Sequence, residues 1–538
     1  MKRVAFLLLF VAATEVTRTA PGDTAPGSLS DFFTPGVVFQ DRNGDGVVDF
    51  VDARIVVPEQ PSSAELAAAA DIAGRLGYET SAMNLPLPFA RGYRPGQATP
   101  TIFVGAKSLA GSGVGLDAIG GAGLRAGDGA VVAFSQGGKA AVAVLGGDES
   151  GLESAAVMLA GHLPYVWDRK GPTADKISDE VKQFLEAKGV ASLSAASTAV
   201  YVRSSASDSA DRLTVVVQMA NGGELEKAMV ALNQFKATSA RDPKRPLSYA
   251  NVRALQIRLR APGSSTVSVD LPRAAGVEPS IAQAPSRRPG GGAKENFDLS
   301  TFYANEGALA DSDNNLIPDR VDVLLSAEGD GSEGVVDLAA RLGLESTGIS
   351  LPIARTAKAL TAPATEPILV LIGTSHPIVD QLIKDHKWEA PALQPGEGLI
   401  QLVKKAFGEK GALIVTGGDA AGVRRAVAQL ATTFPHIWQR GKDRTTLDDV
   451  EEDVRKFIAG RSPAGQAAMS LYKLDQLASQ IKDKDLASAH VKVFVEKPAD
   501  GFADYVKRYA AEAIKASELT VDLQNLRSEE HTSELQSP

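Results

Sequence analysis

The sequence contains no cysteine in 538 residues. That removes disulfides, thiolate nucleophiles, iron–sulfur clusters and cysteine-ligated zinc in one step, along with an N-terminal lipidated cysteine. Histidine is also scarce. His162, His376, His386, His436, His490 and His531 are all there are, and none falls in an H-E-x-x-H or similar ligand spacing. There is no G-x-x-x-x-G-K-[ST] phosphate loop, and "AFSQGG" does not frame a nucleophile elbow. The 65 acidic residues form no pattern that singles out a glycosidase-type carboxylate pair. No basic excess exists either: the net charge is -9 and the pI about 5.4, which leaves no electrostatic footprint for nucleic acid. Past the N-terminus, no apolar run approaches membrane-spanning length.

What is present is a folding composition, 44% hydrophobic and 22% charged. A chain of this length predicts about three to five domains. The N-terminus, "MKRVAFLLLFVAATEVTRTAPG", sets Lys2 and Arg3 before an apolar run from Val4 to Ala13. The run suits a signal-peptide core and is short for a transmembrane helix, so residues 1–20 are expected to direct export to the periplasm or the exterior.

The sequence then repeats itself. "AADIAGRLGYET" is answered by "VVDLAARLGLES", "LPLPFAR" by "SLPIAR" and "PTIFVG" by "ILVLIG". "AAVAVLGGDESGLESAAVMLAGHLPYVWD" is answered by "GALIVTGGDAAGVRRAVAQLATTFPHIWQ". The offset stays near 270 residues, with Gly105 matching Gly373, Asp148 matching Asp419 and Trp167 matching Trp438. A second kind of segment follows each copy: "ADRLTVVVQMANGGELEKAMVALNQF" and "SAHVKVFVEKPADGFADYVKRYAAEAI", each a strand, a glycine turn and an amphipathic helix.

The expected organisation is therefore α/β (α+β), a tandem duplication of a two-domain unit in which each domain is a small mixed sheet with helices packed on it. The expected boundaries are 32–187 for A1, 197–275 for B1, 276–296 for a Pro/Gly linker, 297–460 for A2 and 461–526 for B2. B1 runs on through "VRALQIRLRAPGSSTVSVDLP", a β-hairpin, whereas B2 stops partway through the matching region. Residues 527–538, beginning "RSEEHTSELQS", read as one translated frame of a common sequencing adapter and are set aside from fold reasoning.

Within A1, "SSAELAAAADIAGRLG" predicts a helix. Ser62 and Glu65 form a capping box, Leu66, Ala69, Ile72, Ala73 and Leu76 share one face, and Gly77 suits the C′ position. "GAVVAFSQGGKAAVAVLGGD" predicts a hairpin turning at Gly137–Gly138, and Asp148 then caps a second helix. The stretch from "GLRAGDGAVV" to the small-residue helix resembles the non-catalytic α/β domain that precedes the barrel in α-glucuronidases and β-hexosaminidases. The likeness rests on Gly105 ending a strand, "GDG" at Gly127–Gly129, the hairpin, "GGD" and that helix. "GEGLIQLVKKAF" onward repeats it. The alternation of domains also resembles the periplasmic regulatory subunit of cellulose synthases. The first resemblance implies catalytic carboxylates in a following barrel, so it assigns no catalytic residue here and leaves open whether the parent protein is an enzyme.

The strongest site candidate is "DRNGDGVVDFVD". It places Asp41, Asn43, Asp45, Asp49 and Asp52 at positions 1, 3, 5, 9 and 12, with Gly46 at 6. Alternate oxygens on a tight loop fit Ca²⁺, the one cofactor the sequence suggests. The last ligand is Asp rather than Glu, and "ARIVV" after it reads as a strand. The second copy keeps Asp311, Asp313, Asn315, Asp319 and Asp322 but has Leu316 where the turn glycine belongs. An Asx-rich turn leading into a strand is the alternative. Tyr165, Trp167 and Trp438 either stack on sugar rings or close a domain core. The expected role is a non-catalytic, carbohydrate-associated accessory region of a secreted hydrolase with polysaccharide as the partner. The alternatives are a polysaccharide-assembly subunit and a purely structural repeat protein.

Overall fold

The computed structural model describes residues 27–96, 99–119, 121–162, 174–204, 210–235, 252–272, 294, 297, 299–313, 317–434, 474, 486–495 and 501–525. The expected signal peptide, most of the linker, the adapter-like tail, and Tyr165, Trp167, Asn315 and Trp438 lie outside them. The chain divides into two compact units, Met1–Phe434 and Pro435–Pro538.

The first unit opens with helix α1 (Leu29–Phe32) and two short paired strands, β1 (Phe39–Gln40) and β2 (Phe50–Val51), which flank the first Asp-rich loop. Then come β3 (Arg54–Val57), α2 (Ser63–Tyr78), β4 (Phe89–Arg91), β5 (Thr101–Val104), α3 (Leu116–Ile119), the hairpin β6 (Asp128–Gln136)–β7 (Lys139–Gly146), α4 (Glu149–Val157) and α5 (Ala174–Ala187). Gly137 and Gly138 both take positive φ, the requirement of a two-residue hairpin turn. Next are β8 (Leu193–Arg203), β9 (Ala210–Met219), α6 (Gly223–Leu232), β10 (Val252–Arg260) and β11 (Val267–Pro272).

The expected A1/B1 boundary does not interrupt the hydrogen bonding. β8 pairs antiparallel with β6, so one nine-stranded sheet runs β11-β10-β9-β8-β6-β7-β5-β3-β4. Its central strands are buried along their length, as "TIFV" and "AVVAF" foretell for strands covered on both faces. One core cluster gathers Phe103, Phe134, Val132 and Leu145, with the Phe103 and Phe134 rings stacked 5.8 Å apart.

A second α/β region follows in the same unit. β12 (Leu309–Ala310) and β13 (Arg320–Val321) flank the second Asp-rich loop. They are followed by β14 (Val323–Ala327), α7 (Val335–Leu344), β15 (Ile368–Ile372), α8 (Pro377–Lys384), β16 (Gly398–Phe407), β17 (Lys410–Gly417) and α9 (Ala420–Ala428). Its sheet runs β14-β15-β17-β16, the order that β3-β5-β7-β6 takes in the first region. Asp148 and Asp419 each cap the helix after the hairpin, accepting from Gly151 N and Gly422 N at 2.8 Å. These backbone donors hold both carboxyls below the usual range.

The second unit, described by itself, is a β-α-β motif. β18 (Leu486–Val495) and β19 (Ala516–Asn525) pair in parallel, joined by α10 (Phe502–Ala513). Val491, Val493, Phe502, Val506, Ala510 and Ile514 form its core.

Candidate functional site

The two α/β regions of the first unit meet through α2 and α7. Gly77 was expected just past the end of α2, but the helix continues to Tyr78 and Gly77 lies inside it. Its role is approach rather than capping: a Cβ there would overlap the Ala340 carbonyl of α7. Gly343 meets the Gly74 carbonyl in the same way. The backbones therefore touch where side chains would normally keep helices 8–10 Å apart. Each helix also buries an arginine–glutamate pair. Arg75 binds Glu79 at 2.9 Å, donates to Leu159 O at 2.8 Å and lies 4.1 Å over the Phe33 ring. Arg341 binds Glu345, donates to Ala431 O at 3.0 Å and Phe434 O at 2.9 Å, and lies 4.3 Å over Tyr303. Desolvation pushes the Tyr303 hydroxyl up, and that hydroxyl donates to Leu430 O at 2.9 Å.

An aspartate from each helix reaches into the other region. Asp71 Oδ1, buried, accepts from Ile353 N at 2.7 Å and Ala354 N at 3.1 Å. Asp337 Oδ1 accepts from Leu87 N at 2.8 Å. Burial raises the Asp337 carboxyl to about 6, with the Leu87 hydrogen bond opposing it.

Beside this contact lie two seams of unlike form. One holds a cavity of about 420 Å³ lined by α2, the start of α4 and residues 354–359. Ala64, Ala67 and Ala68 form its apolar side; Asp148, Glu149, Glu153, Arg355 and Lys358 carry its charge. Across it, Arg355 Nε stands 3.7 Å from Glu153, and Lys358 Nζ 3.7 Å from Glu149. The other seam is closed by ion pairs: Arg91 Nη2 binds Glu333 at 2.9 Å, Asp330 lies 3.8 Å from Arg91, and Arg424 lies 3.4 Å from Glu333. The sequence reading missed the cavity. Its one sequence signal is the run "AELAAAAD", small where the second region reads "DGSEGVVD".

The two Asp-rich loops also differ. In the first, side-chain oxygens are taken up by the loop's own backbone. Asp41 accepts from Gly44 N at 2.7 Å and Gly46 N at 2.8 Å, Asn43 from Asp45 N at 2.9 Å, and Asp45 from Val47 N at 2.8 Å. Asp49 accepts from Arg42 N at 2.9 Å, and Asp52 sits beyond the loop, where its own N–H donates to Val38 O at 2.7 Å. This is Asx-turn geometry. In the second loop Asp311, Asp313 and Asp319 each place a carboxylate oxygen within 4.8 Å of the others, a spacing that fits one hard cation. Among the described residues, no such acidic group forms in the first loop. Asp322 is not available to join the triad. Lys294 Nζ lies 3.2 Å from it while donating to the Gly307 carbonyl at 2.7 Å, and Arg320 lies 3.6 Å away.

His376 is deeply buried and caps α8: its Nδ1 accepts from Ile378 N at 3.2 Å and its Nε2 faces Ser326 Oγ at 3.0 Å. Burial lowers it to about 4, so it is a neutral structural group at neutral pH. No helix of the described residues is long and apolar enough to cross a membrane. No protein-family model matches this chain, and no curated protein does so either.

Proposed function

We propose that the chain is a non-catalytic, carbohydrate-associated scaffold, the accessory region of a larger exported protein, and that its two α/β regions arose by duplication. The observation that carries this reading is the α2–α7 lock. Glycine contacts at backbone distance, two buried arginine–glutamate pairs and crossed aspartate contacts join the regions into one support, at a place where a hinged enzyme would need play. A secreted hydrolase acting on polysaccharide is the parent that the sequence resemblance favours, and this is an analogy of fold. The test is co-sedimentation of the full chain with insoluble cellulose, xylan and chitin, with released reducing sugar measured in parallel. Retention on one polymer without sugar release supports the scaffold. Failure to bind any of the three, or release of sugar, refutes it.

A second reading rests on a separate observation, the triad of Asp311, Asp313 and Asp319. We propose Ca²⁺ as its ion. Calorimetric titration should show one Ca²⁺ site that disappears in Asp313→Asn and persists in Asp45→Asn. Loss of binding in the second variant alone would reverse the assignment.

A further inference from the structure

The closed seam is an internal template for the open one. Counting back four residues from Asp337 gives Glu333, and from Asp71 gives Ala67. In the closed seam Glu333 supplies the carboxylate that Arg91 grips at 2.9 Å. In the open seam α2 offers only alanine at that place, and the arginine that arrives after the matching Leu-Pro segment is Arg355. Its carboxylate neighbours, Glu153 and Glu366, both stand at 3.7 Å, beyond hydrogen-bond distance, whereas Arg91 holds Glu333 at 2.9 Å; the Nε atoms of both arginines have no hydrogen-bond partner among the described residues. A guanidinium favours a carboxylate held by two parallel hydrogen bonds. Asp71 and Asp148 are already engaged by backbone N–H groups, and the remaining acids, Glu149 and Glu153, stand half-exposed on the rim. Acids outnumber bases among the lining residues, which disfavours a dianion such as phosphate and favours a ligand carrying its own positive charge.

We propose that this cavity binds a small zwitterion, a free amino acid or short peptide, with its carboxylate on Arg355, its ammonium toward Glu149 and Glu153, and a small aliphatic side chain against Ala64, Ala67 and Ala68. The site goes beyond the scaffold reading and does not depend on it, since a chain that fails to bind polysaccharide could still hold this ligand. The experiment is calorimetric titration of the full chain with alanylalanine. The comparison probes are N-acetyl-alanylalanine amide, which lacks both charges, gluconate, which lacks the ammonium, and inorganic phosphate. Saturable binding of alanylalanine is expected, weakened at least about tenfold in Arg355→Gln and in Ala67→Glu, and weakened in Glu153→Gln. Ala67→Glu places in the open seam the carboxylate that closes the other one, so it should fill the site while keeping the fold, with melting temperature and circular dichroism as controls. The proposal is overturned if alanylalanine fails to saturate, if the capped peptide or gluconate binds as well or better, or if neither Arg355→Gln nor Ala67→Glu changes the affinity.

Discussion

Asp71 and Asp337 occupy matching places in the two α/β regions, yet they meet different stretches of backbone. Asp71 receives two backbone donors, Ile353 N and Ala354 N. Asp337 receives Leu87 N, and the next residue is Pro88, which has no N–H to give. Desolvation raises the Asp337 carboxyl to about 6, and the Leu87 N–H, which favours the charged form, opposes that rise. The same asymmetry runs outward to the seams. Where Glu333 precedes α7, the seam is bridged by Arg91; where α2 carries Ala67, a cavity remains. Two regions joined by reciprocal helix contacts can thus keep that junction fixed while single side chains at its edges set charge and open space.

Substitutions at the helix contact should break the comparison from both sides. Gly77→Leu should cost about 5 kcal/mol, because the Ala340 carbonyl cannot move without shifting α7; Gly343→Leu should cost a similar amount. Urea denaturation of the full chain, followed through the first unit's transition, checks this. A large loss in one variant only would show that the contact is not mutual. Removing a buried arginine comes next. Arg75→Ala and Arg341→Ala each take the arginine from a buried glutamate, and each should lose about 3–4 kcal/mol.

A pH experiment sharpens the comparison. The Asp337 carboxyl is raised, so between its unfolded value near 3.8 and about 6 the folded state holds more protons. Stability is therefore lost as pH rises through that window, by about 3 kcal/mol, and Asp337→Asn should abolish the loss. Pro88→Ala should restore the missing donor and shrink the loss as well. His376 acts with the opposite sign. Its lowered value means that stability falls as pH drops from 6.5 toward about 4, so the readout is the difference between each variant and wild type at each pH. The smallest effect is expected from Ala67→Glu, a gain of about 0.5 kcal/mol from a half-exposed ion pair with Arg355, measured as a rise in midpoint.

Much of the fold is legible in the sequence because it is local. Ser62 and Glu65 close their capping box, Leu66, Ala69, Ile72, Ala73 and Leu76 are all buried, the hairpin turns at Gly137–Gly138, and Asp148 caps its helix. Each depends on residues within a turn or two of one another. Candidate sites fare differently. The first Asp-rich loop has the fuller calcium spacing and the turn glycine, yet the acidic triad forms in the second loop. Spacing states which oxygens are near in the chain; it does not state which carboxylates the folded loop brings within reach of one another.

By itself the sequence determined the mixed α/β character, the element order, the caps and the hairpins, since short-range sterics and periodicity decide these. Tertiary structure alone decided that β8 joins β6 in one sheet, that Gly77 serves a helix crossing rather than a helix end, and that Asp322 belongs to Lys294. It also decided that an alanine run on α2 borders a cavity. Each of these depends on a partner far away in the chain, and neither composition nor local spacing carries the position of that partner.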